Sequence, residues 1–326
     1  MHPAYSVILL TTLIGAGQGL FLASFTVQIY ALVGLLPQAD HRAFYAAGSA
    51  IALAFLSAGL VASFFHLGRP ERAWRSASQW RTSWLSREVI VLPAFMGALF
   101  LYGVAHAFGL RPAVVTLPAG IEIDLTVILG VLGTLLAFAL FICTGMVYAC
   151  MRFLAEWHTP LTLLNYTLLG GASGFTLATA FAAGVAPGLV GFLSGWAVVI
   201  TVLAAIGRVA SLWRNAKLKP KSTIQSAIGI KHPRIQQTAQ GFMGGSFNTR
   251  EFFHGRSTAW LRGVKWAFLL LVFPLPLLCL GLGVSAGSTA LLAAAFGSQY
   301  LGLLAERWFF LAQARHPQNL YYQAIS

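Results

Sequence analysis

Charge is what this sequence has least of. Only 9% of its 326 residues are Asp, Glu, Lys or Arg, and 58% are hydrophobic. Soluble domains carry about 25% charged residues, so a water-soluble globular chain is excluded. Acids are scarcer still, with eight Asp and Glu against 21 Lys and Arg and a formal net charge of +13. The basic excess falls between long apolar runs. There, lipid headgroups or an acidic protein partner can meet it, so it does not point to nucleic acid. Cysteine is also sparse. Cys143, Cys150 and Cys279 all lie in apolar stretches, with no CxxC and no Cys/His cluster. No iron–sulfur cluster and no structural zinc are expected in this chain. The opening MHPAYSVILL has no charged run ahead of its apolar stretch, so no cleavable signal peptide is expected.

What is abundant is apolar sequence in lengths of about 20 residues, the length a membrane-spanning helix needs. The reading is all-α, a polytopic membrane helix bundle in a single membrane domain. Eight spans are expected, at about 4–36, 43–66, 87–108, 124–151, 161–183, 188–212, 264–283 and 288–312. Two connections are long, 67–86 and 213–263. An even number of spans puts both termini on one side. With this assignment all the Lys and Arg except Arg42 and Arg111 fall on the side of the termini. Positive charge is retained in the cytoplasm, so both termini and both long loops are expected there. Three Gly-x-x-x-Gly pairs, Gly15/Gly19, Gly191/Gly195 and Gly283/Gly287, suit close helix packing within the chain. Pro93, Pro274 and Pro276 are expected to kink their helices. No internal repeat is evident.

Ionisable groups at membrane depth are costly and warrant a functional hypothesis. His66 ends the second span, with Gly68 and Pro70 stopping the helix. Its imidazole titrates near neutrality and can donate to or accept from a quinone carbonyl; a plain helix-capping histidine is the alternative. Arg87 and Glu88 open the third span behind the N-cap candidates Ser83 and Ser86, so Glu88 is either a proton relay or a carboxylate favoured by the helix dipole. Gln18 sits among Gly15, Gly17 and Gly19, where a ligand headgroup can approach. Together His66, Arg69, Arg87, Glu88 and Gln18 form the candidate quinone set, with His66 and Glu88 as its proton-exchanging members. Arg69, Arg72 and Arg75 can stabilise an anionic reduced headgroup or bind an acidic partner.

Tyr102 and His106 share a helix face. A haem at His106 would require a second histidine at matching depth, and none is expected, so haem is not anticipated. Arg152 and Glu156 have the spacing of a local ion pair. Glu306 and Arg307 are read as pairing with loops or snorkelling. The segment 213–263 is basic yet carries Phe242, Phe247, Phe252 and Phe253. It reads as a docking loop, and Arg72, Arg75, Arg81, Arg214, Lys217, Lys219 and Lys221 form the candidate docking set.

The run HLGRPERAW, His66 to Trp74, continued by SWLSREV, Ser83 to Val89, resembles the membrane-anchor subunit of the dimethyl-sulfoxide-reductase family. The eight-span pattern extends the resemblance over most of the chain. It implies an anchor that binds a quinone, ubiquinone or menaquinone, and holds two partners. These are a four-cluster iron–sulfur protein and a molybdopterin-containing catalytic subunit. The residue matching His66 is implicated there in quinol chemistry, and the better-known anchors of the family carry no haem. The long basic loop and the ending ERWFFLAQARHPQNLYY are more similar to anchors of cytoplasmic sulfite-oxidising complexes, in which electrons pass to quinone. The alternatives are an anchor of a quinol-using reductase, a passive anchor and a proton-coupled transporter.

Overall fold

The computed structural model describes residues 1–37, 40–116, 122–220, 222–238 and 251–322. Ten helices follow one another among these residues. They are α1 (Tyr5–Leu32), α2 (Arg42–Phe64), α3 (Trp84–Ala107), α4 (Leu125–Ala149), α5 (Pro160–Val185), α6 (Val190–Ala216), the short α7 (Ile224–Ile228), α8 (Thr258–Val272), α9 (Pro274–Ser285) and α10 (Thr289–Ala312). Side chains cap several N-termini. Ser83, Asp124, Thr159, Ser257 and Ser288 each accept a backbone N–H from the first turn they precede, satisfying donors that have no partner within the helix.

Seven helical stretches are long and apolar enough to cross a membrane, with α8 and α9 counting as one, Thr258–Ser285. The eighth expected span is present as α10 but falls outside that set, because Gln299, Glu306 and Arg307 interrupt its apolar sequence. All three are buried, so α10 turns its polar groups inward. Three boundaries differ from the sequence reading by four residues or more, the largest at α8, which starts at Thr258 rather than at 264. α1 stops at Leu32, where Gly34 takes a left-handed φ of 74°, and α6 runs on to Ala216, past the expected end at 212. The prolines also behave differently. Pro93 lies within a continuous α3, whereas at Pro274 the helix is interrupted and restarts. Pro276 then falls in the first turn of α9, where it displaces no helical hydrogen bond. The all-α expectation also missed a small antiparallel ribbon, Ala113–Thr116 with Glu122–Asp124, between α3 and α4.

α1 is central, packing along α2 and α5 and reaching α4 and α10. Around it lies a core that includes Leu20, Phe21, Phe44, Leu56, Phe95 and Tyr102, each essentially inaccessible. Large apolar side chains face outward as well, among them Leu135 at 65% and Ile206 at 62% exposure, as expected of a surface that meets acyl chains. The chain ends meet at one end of the bundle. The amino group of Met1 donates to Ala314 O at 2.7 Å. The Asn319 amide donates to Phe252 O at 3.1 Å and the Tyr321 hydroxyl to Ala227 O at 3.2 Å.

Candidate functional site

Ser83 starts α3, which places Glu88 in its second turn. The carboxylate does not face the loop. It turns into the bundle and is only 8% exposed, and Thr144 of α4 donates to its Oε1 at 2.6 Å. Beside it is a cavity of about 20 Å3 bounded by Gln18, Glu88, Thr144, Tyr166, Ser173 and Arg307, with Gly15 and Gly170 where side chains would otherwise fill the space. That volume holds roughly one water. Gln18 donates its amide to Ala137 O at 2.8 Å, which fixes its orientation at the cavity edge.

A buried cluster of charges lies behind Arg307. Its guanidinium carbon stands 3.6 Å from the centre of the Tyr166 ring, and its Nη1 is 3.5 Å from Glu306 Oε2. The other oxygen of Glu306 is 2.7 Å from Arg208 Nε of α6, and both side chains are 1% exposed. The Arg208 N–H does not point at the oxygen, so the contact is charge attraction rather than an aligned hydrogen bond. Phe268 and Phe309 pack over the Arg208 guanidinium. Three charged side chains buried in apolar surroundings must compensate one another, and an ionisable group, Glu88, lines the same cavity as Arg307.

The sequence-predicted residues separate into two places. Glu88 and Gln18 share the cavity. His66 is exposed two residues beyond the end of α2 and does not line it. Partial screening of its ring from solvent lowers its pKa below the ordinary imidazole value. The segment that follows His66 in the chain exposes aromatic side chains, Trp74 at 71% and Trp80 at 53%, and Phe65 just before it is 82% exposed. Arg69 precedes a 3-10 stretch, Pro70–Gln79, that carries Arg72 and Arg75. Arg75 and Arg81 stand against the rings of Trp74 and Trp80. Arg87 is occupied locally. It donates to Trp80 O at 2.9 Å and Arg81 O at 2.8 Å and stacks on Trp84, tying the loop to α3.

The docking set divides as well. Arg214 braces the 150–159 loop, donating to Ala155 O at 3.0 Å and His158 O at 3.3 Å. Lys217 sits over Trp213, Lys219 lines a second groove, and Lys221 lies outside the described residues, as do Phe242 and Phe247. Two local expectations fail. Arg152 and Glu156 make no ion pair, because 151–158 is a series of turns rather than a helix. Glu306 and Arg307 neither snorkel nor reach loops. Their partners are Arg208 and Tyr166 inside the bundle. Sequence reasoning missed Arg208, Thr144 and Tyr166. Arg208 had a signal: it stands two turns inside α6 once that helix is extended to its basic end. His106 packs between Tyr45 and Tyr102 and accepts from Arg111 at 3.2 Å.

Residues 1–236 match the family of the DMSO reductase anchor subunit (DmsC). The chain is also 58% identical over 327 aligned residues to a sulfite dehydrogenase subunit from Allochromatium vinosum, covering 100% of both chains. A bundle whose apolar helices face outward and whose charges pair inside agrees with both. The chain belongs to the DMSO reductase anchor subunit family and is a multi-pass membrane protein.

Proposed function

We propose that this chain is the membrane anchor and quinone-reacting subunit of a molybdopterin and iron–sulfur oxidoreductase that passes electrons from sulfite oxidation to the quinone pool. The observation that carries this reading is the full-length identity of 58% to a subunit of a sulfite dehydrogenase. In this reading all eight long helical stretches span a bacterial cytoplasmic membrane, α10 included. Its charges are satisfied by Arg208 and Tyr166 rather than by lipid. Both termini and the connections 65–83 and 217–257 then face the cytoplasm. There a four-cluster iron–sulfur subunit and the molybdopterin catalytic subunit meet the basic surface of Arg69, Arg72, Arg75 and Arg81.

A quinone supplies a bilayer-soluble acceptor of two electrons and two protons. The chemistry of this segment suits such a ring: an imidazole able to donate or accept at His66, beside the exposed Phe65 in the chain and in a segment that also exposes Trp74 and Trp80. The cavity at Glu88 does not fit it. At about 20 Å3 it is a water site, whereas a ligand of that size needs roughly 300 Å3 or more. His66 therefore holds the hydrogen bond at the headgroup. Glu88, held by Thr144, acts behind it as a proton-holding group served by the cavity water, and Gln18 orders that water.

Affinity purification of the tagged chain from its native membrane, with mass spectrometry of the co-purifying proteins, tests the assembly. A molybdopterin subunit and an iron–sulfur subunit are expected. His66→Ala should then abolish reduction of a quinone analogue by sulfite while leaving sulfite oxidation with an artificial electron acceptor intact. Equal loss of both activities would overturn the quinone assignment.

A further inference from the structure

A second groove, about 650 Å3 in volume, opens at the end of the bundle where the chain termini meet. It lies where α6, α8 and α10 come together. Its floor is apolar, formed by Leu212 and Phe309 from within the helices, and its rim carries Lys219, Lys265 and Arg315. Among the described residues, Glu156 is the acid on its lining, and none of the three basic residues is in an ion pair. Two amide side chains on the lining have buried atoms with no hydrogen-bond partner among the described residues, Gln313 Nε2 and Asn319 Oδ1. A buried amide without a partner is costly unless a ligand or water satisfies it.

The surroundings fix the depth of the groove. Trp213, Trp260 and Trp266 are exposed at 64%, 53% and 62% on the same helix ends, each with a cation against its ring: Lys217, Arg256 and Lys265. Exposed tryptophans paired with basic residues mark the membrane–water interface. A groove at that level, with a cationic rim, donors and an acyl-compatible floor, has the chemistry of an amphiphilic anion. We infer that the groove between α6, α8 and α10 is a specific site for one anionic phospholipid. Its phosphate is taken by Lys219, Lys265, Arg315 and the Gln313 amide, and its acyl chains lie on Leu212 and Phe309. This inference is independent of the quinone reading, since the groove shares no residue with the Glu88 cavity or the His66 surface.

The test is native mass spectrometry of the full-length chain in neutral detergent. Phosphatidylglycerol is titrated against phosphatidylcholine of the same acyl composition, with inorganic phosphate as competitor. One phosphatidylglycerol should remain bound at least tenfold more tightly than phosphatidylcholine, and millimolar phosphate should not displace it. Lys219→Gln with Lys265→Gln should weaken that lipid roughly 25-fold, from about fivefold per interfacial cation. Equal binding of the two lipids to the wild-type chain would overturn the site and leave the groove to an acidic protein segment. Displacement by phosphate alone would show an anion site that does not read lipid. Unchanged phosphatidylglycerol binding in a double variant that elutes and melts like wild type would overturn the assignment to these residues. If the variant does not fold, the wild-type comparison decides alone.

Discussion

At the scale of single residues, the strongest constraint on this protein is the pairing of buried charge. Arg208 and Glu306 are each 1% exposed and 2.7 Å apart. Glu306 is also 3.5 Å from the buried Arg307, so its removal leaves two cations without their shared counter-charge; breaking a buried pair in this way costs about 3–5 kcal/mol. Glu306→Leu should therefore lower the thermal midpoint in detergent steeply, and adding Arg208→Met should recover part of the loss, since Arg307 alone is then left without a counter-charge. If the double variant is as unstable as the single one, the two groups are not coupled. Glu88 makes a different case. In Glu88→Gln the amide oxygen still accepts from Thr144 and the shape is unchanged. Stability should shift by less than about 1.5 kcal/mol, while quinone reduction falls in a complex that still oxidises sulfite with an artificial acceptor. Unchanged quinone turnover would make Glu88 a structural carboxylate. Glu88 and Gln18 were legible in the sequence as polar groups in apolar runs. Their shared cavity was not, because a linear pattern does not say which helices meet. Arg208 was hidden because it lies where an apolar run gives way to a basic one, and such a residue reads as the start of a loop.

At the scale of elements, glycine decides which helices approach. Three Gly-x-x-x-Gly pairs look alike in the sequence, yet they do different things. Gly15 and Gly19 of α1 face Gly170 and Gly174 of α5, and a Cβ on Gly19 or Gly174 would collide with the backbone of the other helix. Gly191 and Gly195 have nothing within 4 Å of such a Cβ, and Gly287 serves a turn at φ 59°. Backbone cannot move aside as a side chain can, so Gly174→Ala should exceed the usual 1–3 kcal/mol cost of overpacking and reduce the folded yield. Gly191→Ala should purify and melt like wild type. Equal behaviour of the two would mean that α1 and α5 are not held in this close contact. Arg87 acts on an element too. It holds two carbonyls of the 70–82 loop, so Arg87→Ala should speed tryptic cleavage after Arg72, Arg75 and Arg81 while the melting of the bundle barely changes. The sequence marked Arg87 as a residue of interest at a helix start. It did not show that the guanidinium points back along its own loop, since that depends on how the loop folds over the helix.

At the scale of the whole molecule, the all-helical membrane architecture was readable from composition, because lipid imposes the length of apolar runs directly on the sequence. The interior layering was not readable, and it bears on proton movement. Polar groups form two layers along α1. One is the Glu88 cavity with Gln18. The other is a chain at the opposite end, in which Tyr102 donates to Gln28 at 2.8 Å, Gln28 to Thr126 at 2.6 Å and Thr126 to Asp124 at 2.6 Å. Gln18 and Gln28 lie about 15 Å apart along the helix axis. Phe21 and Phe25 fill the interval, parallel to each other, with Phe95 edge-on to Phe21 at 5.5 Å. Gly133 and Gly130 of α4 leave room for their rings. Close-packed aromatic rings leave no space for a water chain. Protons reaching Glu88 should therefore enter and leave through the end of the bundle that carries the termini, without crossing to the other side. Full-length protein in liposomes under a potassium diffusion potential should pass protons no faster than protein-free liposomes. Phe21→Ala with Phe25→Ala, which joins the two polar layers through a cavity, should raise the rate. Substantial proton flux through the wild-type chain would show that the aromatic layer opens, and would return the protein to the class of proton-coupled transporters.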